Sequence, residues 1–312
     1  METFKFQPNK NEPLKPKQEK GERLGTIEKL KSVMSRISLE VNNEVREKYQ
    51  FEGLVDDTLR INPSFFSTEK GGIYRSDEIF EDEGVVYALD RLNSSADNPG
   101  VQDHYKKEYG VETPEDIVAK YRENKEASKS NQAEIVITAL LHKVLKERFL
   151  VVRSATFDDY KHGVDNLILD KQTGAIICAF DEVIENIGDK ERGASKKIEK
   201  IKKTAMKGGT EAKYGVALKG KMLTRARARN IPVFYLALES KDLAELADSL
   251  YKNNDTIAET EERLFNHLVK SIKEQKEMLE GLNLPPVIKG NLKGFEDSLR
   301  VLEGFTLKEL PQ

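Results

Sequence analysis

Residues Gly163–Val183 read GVDNLILDKQTGAIICAFDEV. Two short apolar runs, GVDNLILD and AIICAFDEV, flank the turn-forming KQTG, where Gly174 favours a tight reversal; an antiparallel β-hairpin is expected. Each run carries an aspartate, Asp165 and Asp181, among residues that belong in a core. Burying a carboxylate costs several kcal/mol unless it is compensated. Two on neighbouring strands point to a shared counter-ion, most simply a divalent metal, and so to metal-dependent phosphodiester chemistry. The competing reading makes Asp165 a turn or strand-edge residue bonded to backbone amides and Asp181 a strand end leading into a loop.

Working outward, Gln132–Leu150 is a strongly apolar helical stretch, followed by the β-like FLVVRS of Phe149–Ser154. Beyond the hairpin, Ala194, Ile198, Ile201 and Ala205 recur at spacings of 4, 3 and 4, which predicts a helix with Lys196, Lys197, Lys200, Lys203 and Lys207 on its other faces. NIPVFYLAL at Asn230–Leu238 then reads as a strand. Helix, strand, hairpin, helix, strand is the order of a three-layer α/β/α core with a mixed sheet, over residues 131–240. Before it, residues 1–24 are expected to form a flexible tail, too poor in apolar residues to repay ordering. Residues 25–130 read as mainly helical, with helices over Thr26–Tyr49, Ser76–Leu92 and Pro114–Asn124 and a connector at Asn62–Gly72. A C-terminal helical region, 241–312, carries helical patterns over Leu243–Tyr251, Ile257–Leu279 and Leu292–Leu302.

Composition narrows the chemistry. The single Cys178 excludes a disulfide framework and a cysteine metal cluster. His104, His142, His162 and His267 show no ligand spacing, so any metal must be held by oxygen. No apolar run approaches the ~20 residues of a membrane helix, and the polar N-terminus is unlike a signal sequence, so a cytoplasmic protein without membrane contact is expected. The net charge of −3 conceals a block from Lys190 to Arg229 in which 14 Lys or Arg face only Glu191, Glu199 and Glu211. Directly after the aspartate strands, such a block is where a polyanion would be gripped, unless it is merely a solvated lysine face.

In these features the chain resembles the PD-(D/E)XK nuclease superfamily, over about 110 residues from Gln132 to Leu238. The resemblance implies a restriction-endonuclease-like core with helical additions at both ends. It assigns Asp165 as the first aspartate, Asp181 as the second acid and Glu134, which shares a helix face with Ile137 and Leu141, as the helix acid. It implies Mg²⁺ or Mn²⁺ on Asp165, Asp181 and Glu134, and nucleic acid, DNA or RNA, as substrate. Glu134 would otherwise complement the positive end of its helix. The family's lysine, two residues after the second acid, is replaced by Val183. Lys197 and Lys200 on the following helix, or Lys161 before Asp165, are candidates to supply it. Arg153, Lys161, Lys203, Arg225 and Arg227 are expected to contact the substrate; for Arg153 an ion pair with Asp158 or Asp159 is the alternative.

Two rival functions follow from the same residues. A module that kept the fold and the basic surface but lost hydrolysis would bind nucleic acid with steep salt dependence and no cleavage. An interaction scaffold or homo-oligomer would instead use the charged helices with Tyr49, Phe51, Phe65, Phe66 and Phe80 as its surface. GVALKGKM at Gly215–Met222 matches a phosphate-binding loop except at its last position, and its β-like start argues against that role.

Overall fold

The structure, a computed structural model, describes residues 25–172, 176–185, 190–219, 222–254 and 256–306. Among the described residues five α-helices precede the sheet, the first four being α1 (Thr26–Tyr49), α2 (Ser76–Asn93), α3 (Pro99–Tyr109) and α4 (Pro114–Glu126). Helix α4 begins as its sequence predicts, with the Thr113 side chain accepting from Asp116 N, Pro114 in the first turn and acids behind it. Helix α5 (Lys129–Leu145), capped by Ser128, runs into strand β1 (Phe149–Arg153), buried at every position. Then come α6 (Thr156–His162), β2 (Asn166–Asp170), β3 (Ile176–Glu185), α7 (Lys190–Met206), β4 (Thr210–Lys219), β5 (Met222–Ile231) and β6 (Val233–Glu239). Three helices close the chain: α8 (Leu243–Lys252), α9 (Glu259–Glu280) and α10 (Pro286–Thr306).

The fold is mixed α/β. Its main sheet has the order β1-β2-β3-β6, antiparallel between β1, β2 and β3 and parallel between β3 and β6. A parallel pair needs a long crossover, and α7 with the β4–β5 hairpin supplies it. The expected antiparallel pairing is present, with Asn166 opposite Phe180 and Leu167 opposite Ala179; residues 173–175 at the KQTG turn lie outside the described residues, as does the 1–24 tail.

Alternation along the strands assigns the two faces. Asn166 Oδ1 accepts a 2.8 Å hydrogen bond from Thr138 Oγ1, so Asn166 faces α5. Its cross-strand partners Arg153 and Phe180 share that face. Asp181, the next residue along β3, turns to the opposite face, where its parallel neighbour is Tyr235. At its Arg153 end the outer edge of β1 is covered rather than open: Ile61 N donates to Arg153 O at 2.9 Å and Arg153 N to Leu59 O at 3.0 Å. This contact carries Arg60 from the N-terminal region to the end of the sheet.

One hydrophobic cluster runs from Leu30 in α1 to Phe295 in α10, so the helices at both ends pack into the same core as the sheet. Phe65 and Phe66 lie at its centre and Tyr49 and Phe51 pack against it, leaving Phe80, 73% exposed, as the member of the proposed aromatic surface that faces solvent. Elements absent from the sequence reading are α3, α6, β5 and its pairing with β4, of which only Gly215–Leu218 reads as β-like. In β5 the alternating residues Arg225, Arg227 and Arg229 are charged and their neighbours small, so the apolar alternation that marks a strand is missing. Gly215–Lys219 of the phosphate-loop look-alike belongs to β4, where Gly215 makes room for the Ala226 and Ala228 backbone of β5; residues 220 and 221 lie outside the described residues. Among the described residues no helix is long and apolar enough to cross a membrane.

Candidate active site

Residues Lys197 and Lys200 are three apart on α7 and share a helix face. Both reach Asp181: Lys197 Nζ donates to Oδ1, and Lys200 Nζ donates to Oδ2 at 2.9 Å. Asp181 is 6% exposed, so one nearly buried carboxylate is held by two ammonium groups. Lys197 also lies over the Tyr235 ring, 6.0 Å from its centre. Lys200 Nζ passes over Gly163, 3.1 Å from where a Cβ would stand, and Gly163 has φ +62° as it ends α6. Glycine meets both demands there, the left-handed backbone and the space for the lysine. Two residues on, Asp165 continues the pairing of β2: its N–H donates to Phe180 O at 2.9 Å and its carbonyl accepts from Ser154 N at 2.8 Å. That brings Asp165, 9% exposed, beside the strand position preceding Asp181. The side chain of Val183 lies outside the described residues.

Glu134 belongs to a second cluster, on the α5 face. Arg153 Nη2 donates to Glu134 Oε2 at 2.9 Å and to Asn131 Oδ1 at 2.7 Å. Arg60 Nη2 lies 3.7 Å from the same Glu134 oxygen and donates to Asp159 at 3.2 Å, while its Nη1 donates to Ser154 O. Burial and the neighbouring Arg60 charge press the Arg153 guanidinium below its ordinary pKa, against the pull of Glu134. Burial also opposes the charge on Arg60, but the carboxylates of Asp159, Glu134 and Asp165 together hold it above its usual value. Arg153 is thus ion-paired as the more conservative expectation had it, but to Glu134 and not to Asp158 or Asp159. At 2% exposure it has little surface to offer a substrate. Arg60 had no local signal in the sequence; its partner Asp159 is 99 residues away.

The remaining candidates are dispersed. Lys161 is exposed on α6 and Lys203 on α7. Arg225 stacks on Phe51 and Phe65, 4.5 and 4.1 Å from the ring centres, and donates to the carbonyls of Lys70 and Gly71. Arg227 is bound to Glu211 through two hydrogen bonds. Asp158 serves the scaffold: its buried carboxylate accepts from Lys213 N at 2.7 Å and Tyr214 N at 3.0 Å, tying α6 to β4.

Burial pushes the Asp158 carboxyl up to about 6, although the two amides oppose the shift. A carboxyl whose folded pKa lies above its unfolded value binds more protons when folded, so stability is present at low pH and is lost as pH rises through about 6. Urea midpoints are therefore expected to fall between about pH 4 and 6.5, by on the order of 2 kcal/mol attributable to this group. Asp158→Asn should flatten that part of the profile; an unchanged profile would assign the pH dependence elsewhere.

A cavity of about 1280 Å³ lies on the Arg60 side, between α1, α2, α4 and α6. Its seven acidic residues, Asp56, Asp57, Asp82, Glu83, Asp90, Glu126 and Asp159, outnumber five basic ones, which disfavours a polyanion. Among the described residues no group of three His, Cys, Asp or Glu side chains is placed to hold a metal ion. Glu134 is drawn to arginines on one face of the sheet while Asp181 is drawn to lysines on the other. No protein-family model, curated protein or solved structure matches the chain.

Proposed function

We propose that the chain is a restriction-endonuclease-like, metal-dependent nuclease whose acid pair is Asp165 and Asp181 and whose lysine comes from α7. The observation that carries this reading is the meeting of Lys197 and Lys200 with Asp181, beside Asp165 just ahead of the neighbouring strand. It supports relocation of the ammonium group that Val183 does not provide. The strand order β1-β2-β3-β6, with α5 before the sheet and α7 between β3 and β6, supports the same fold assignment.

Two carboxylates fit Mg²⁺, which is commonly held by one or two of them and completed by water and substrate phosphate. When bound, the ion would lower the pKa of a water molecule and offset charge on the phosphate. The protein's own groups do the positioning. Asp165 and Asp181 offer the oxygen ligands, and Lys197, steadied over Tyr235, presents an ammonium to the attacked phosphate and its water. Glu134 is assigned to the Arg60–Arg153 cluster, not to the metal.

A second reading, a nucleic-acid-binding module without hydrolysis, is favoured by the two ammonium groups occupying both oxygens of Asp181. Incubation with labelled single- and double-stranded DNA and RNA, in Mg²⁺ or Mn²⁺ and in EDTA, separates the two. Metal-dependent cleavage is expected. Salt-sensitive binding without cleavage would select the second reading, and neither cleavage nor binding would eliminate both.

A further inference from the structure

The lysines of α7 exceed what Asp181 requires. Lys196, Lys200 and Lys203 of α7, with Lys207 just past its end, recur at spacings of 4, 3 and 4, forming one exposed stripe roughly 16 Å long at 1.5 Å per residue. The stripe borders a shallow concavity of about 470 Å³, whose one acid, Glu199, is paired with Lys202 at 3.0 Å. Among the described residues Lys196, Lys203 and Lys207 make no ion pair. Four adjacent ammonium groups with at most one neutralised repel one another, and this repulsion is relieved by a polyanion.

Lys200 belongs to both systems. It lies on the stripe, yet its Nζ is bonded to Asp181 Oδ2. Its side chain is 55% exposed against 32% for Lys197, which is also held by Tyr235. Of the two cations on Asp181, Lys200 is therefore the one that can leave at low cost.

We propose that the α7 stripe binds the phosphate backbone of a nucleic-acid duplex and that Lys200 is shared between this backbone and Asp181, so that backbone binding releases Oδ2 of Asp181. The inference rests on the proposed nucleic-acid function but not on cleavage. A duplex is favoured because its charge is dense and regular along a straight path, whereas the stripe carries no aromatic ring on which unpaired bases could stack. The coupling is reciprocal: the factor by which the Lys200–Asp181 pair weakens the hold on the backbone is the factor by which backbone binding weakens that pair.

Fluorescence anisotropy in EDTA, with a mixed-sequence duplex at two salt concentrations, tests this without any turnover. The set is wild type, Asp181→Asn, Lys200→Gln, the double variant and Lys203→Gln. Asp181→Asn is expected to tighten binding about three- to tenfold and to steepen the logarithmic salt slope by about 0.9, one phosphate contact. In the double variant the gain should vanish, and Lys203→Gln should weaken binding several-fold. A gain that persists without Lys200, unchanged affinity in Asp181→Asn, or no loss in Lys203→Gln would overturn the proposal. Tighter binding of a single strand than of the duplex would overturn the choice of partner. If the coupling holds while Mg²⁺ yields no cleavage, the nuclease reading falls and this inference stands.

Discussion

Asp181→Ala is expected to lower Mg²⁺-dependent cleavage of a labelled duplex about 10³-fold, a loss of ~4 kcal/mol in transition-state stabilisation. The reason is its place in the arrangement. Asp181 sits at the junction of the sheet with α7, 6% exposed, and is the point on which Lys197 and Lys200 converge. On the proposed reading its removal takes away an oxygen ligand, and it leaves both ammonium groups without their common anchor. Binding in EDTA should be tightened, because the freed lysines remain positively charged and Lys200 becomes available to the backbone. That combination distinguishes a chemical defect from misfolding. Initial rates for the wild type and the variant, measured beside duplex affinity, would check it; a fall of less than about threefold would remove Asp181 from the chemistry.

For Glu134→Ala the expected effect is on stability, about 3 kcal/mol, read as a lower urea midpoint at unchanged slope. The side chain of Arg153 is only 3% exposed, and Glu134 is the carboxylate to which it donates. Without that partner the guanidinium keeps the amide oxygen of Asn131 and remains beside the like charge of Arg60. Leaving a buried charge uncompensated is among the more costly single changes. Glu134→Gln, which keeps an acceptor oxygen, should cost less than half as much. A metal-ligand role predicts the reverse pattern, with wild-type stability and lost cleavage, so one pair of measurements decides between the two roles.

Most elements around the site were readable because they are local. The alternation in GVDNLILD and AIICAFDEV marks two strands, and the spacing of Ala194, Ile198, Ile201 and Ala205 marks α7. These patterns depend on residues two to four positions apart, which is the range over which strand and helix geometry acts. The same locality leaves β5 without a strand signal. Its arginines are accommodated by Glu211 and by the Phe51–Phe65 pair, contacts that no window of β5 contains.

Local pattern alone is enough to mark the strand that begins just after Asp165, the strand that bears Asp181 and the lysine-rich helix that follows them. The pairing of each cation with its acid follows from the tertiary arrangement. It sent Glu134 to Arg153 and Arg60, Asp181 to Lys197 and Lys200, and Asp158 to the amides of β4. Periodicity fixes the face a side chain occupies through bonded geometry along the chain. Charge compensation acts through space, where burial makes each unpaired charge costly and the nearest partner arrives from whichever distant segment the packing brings alongside.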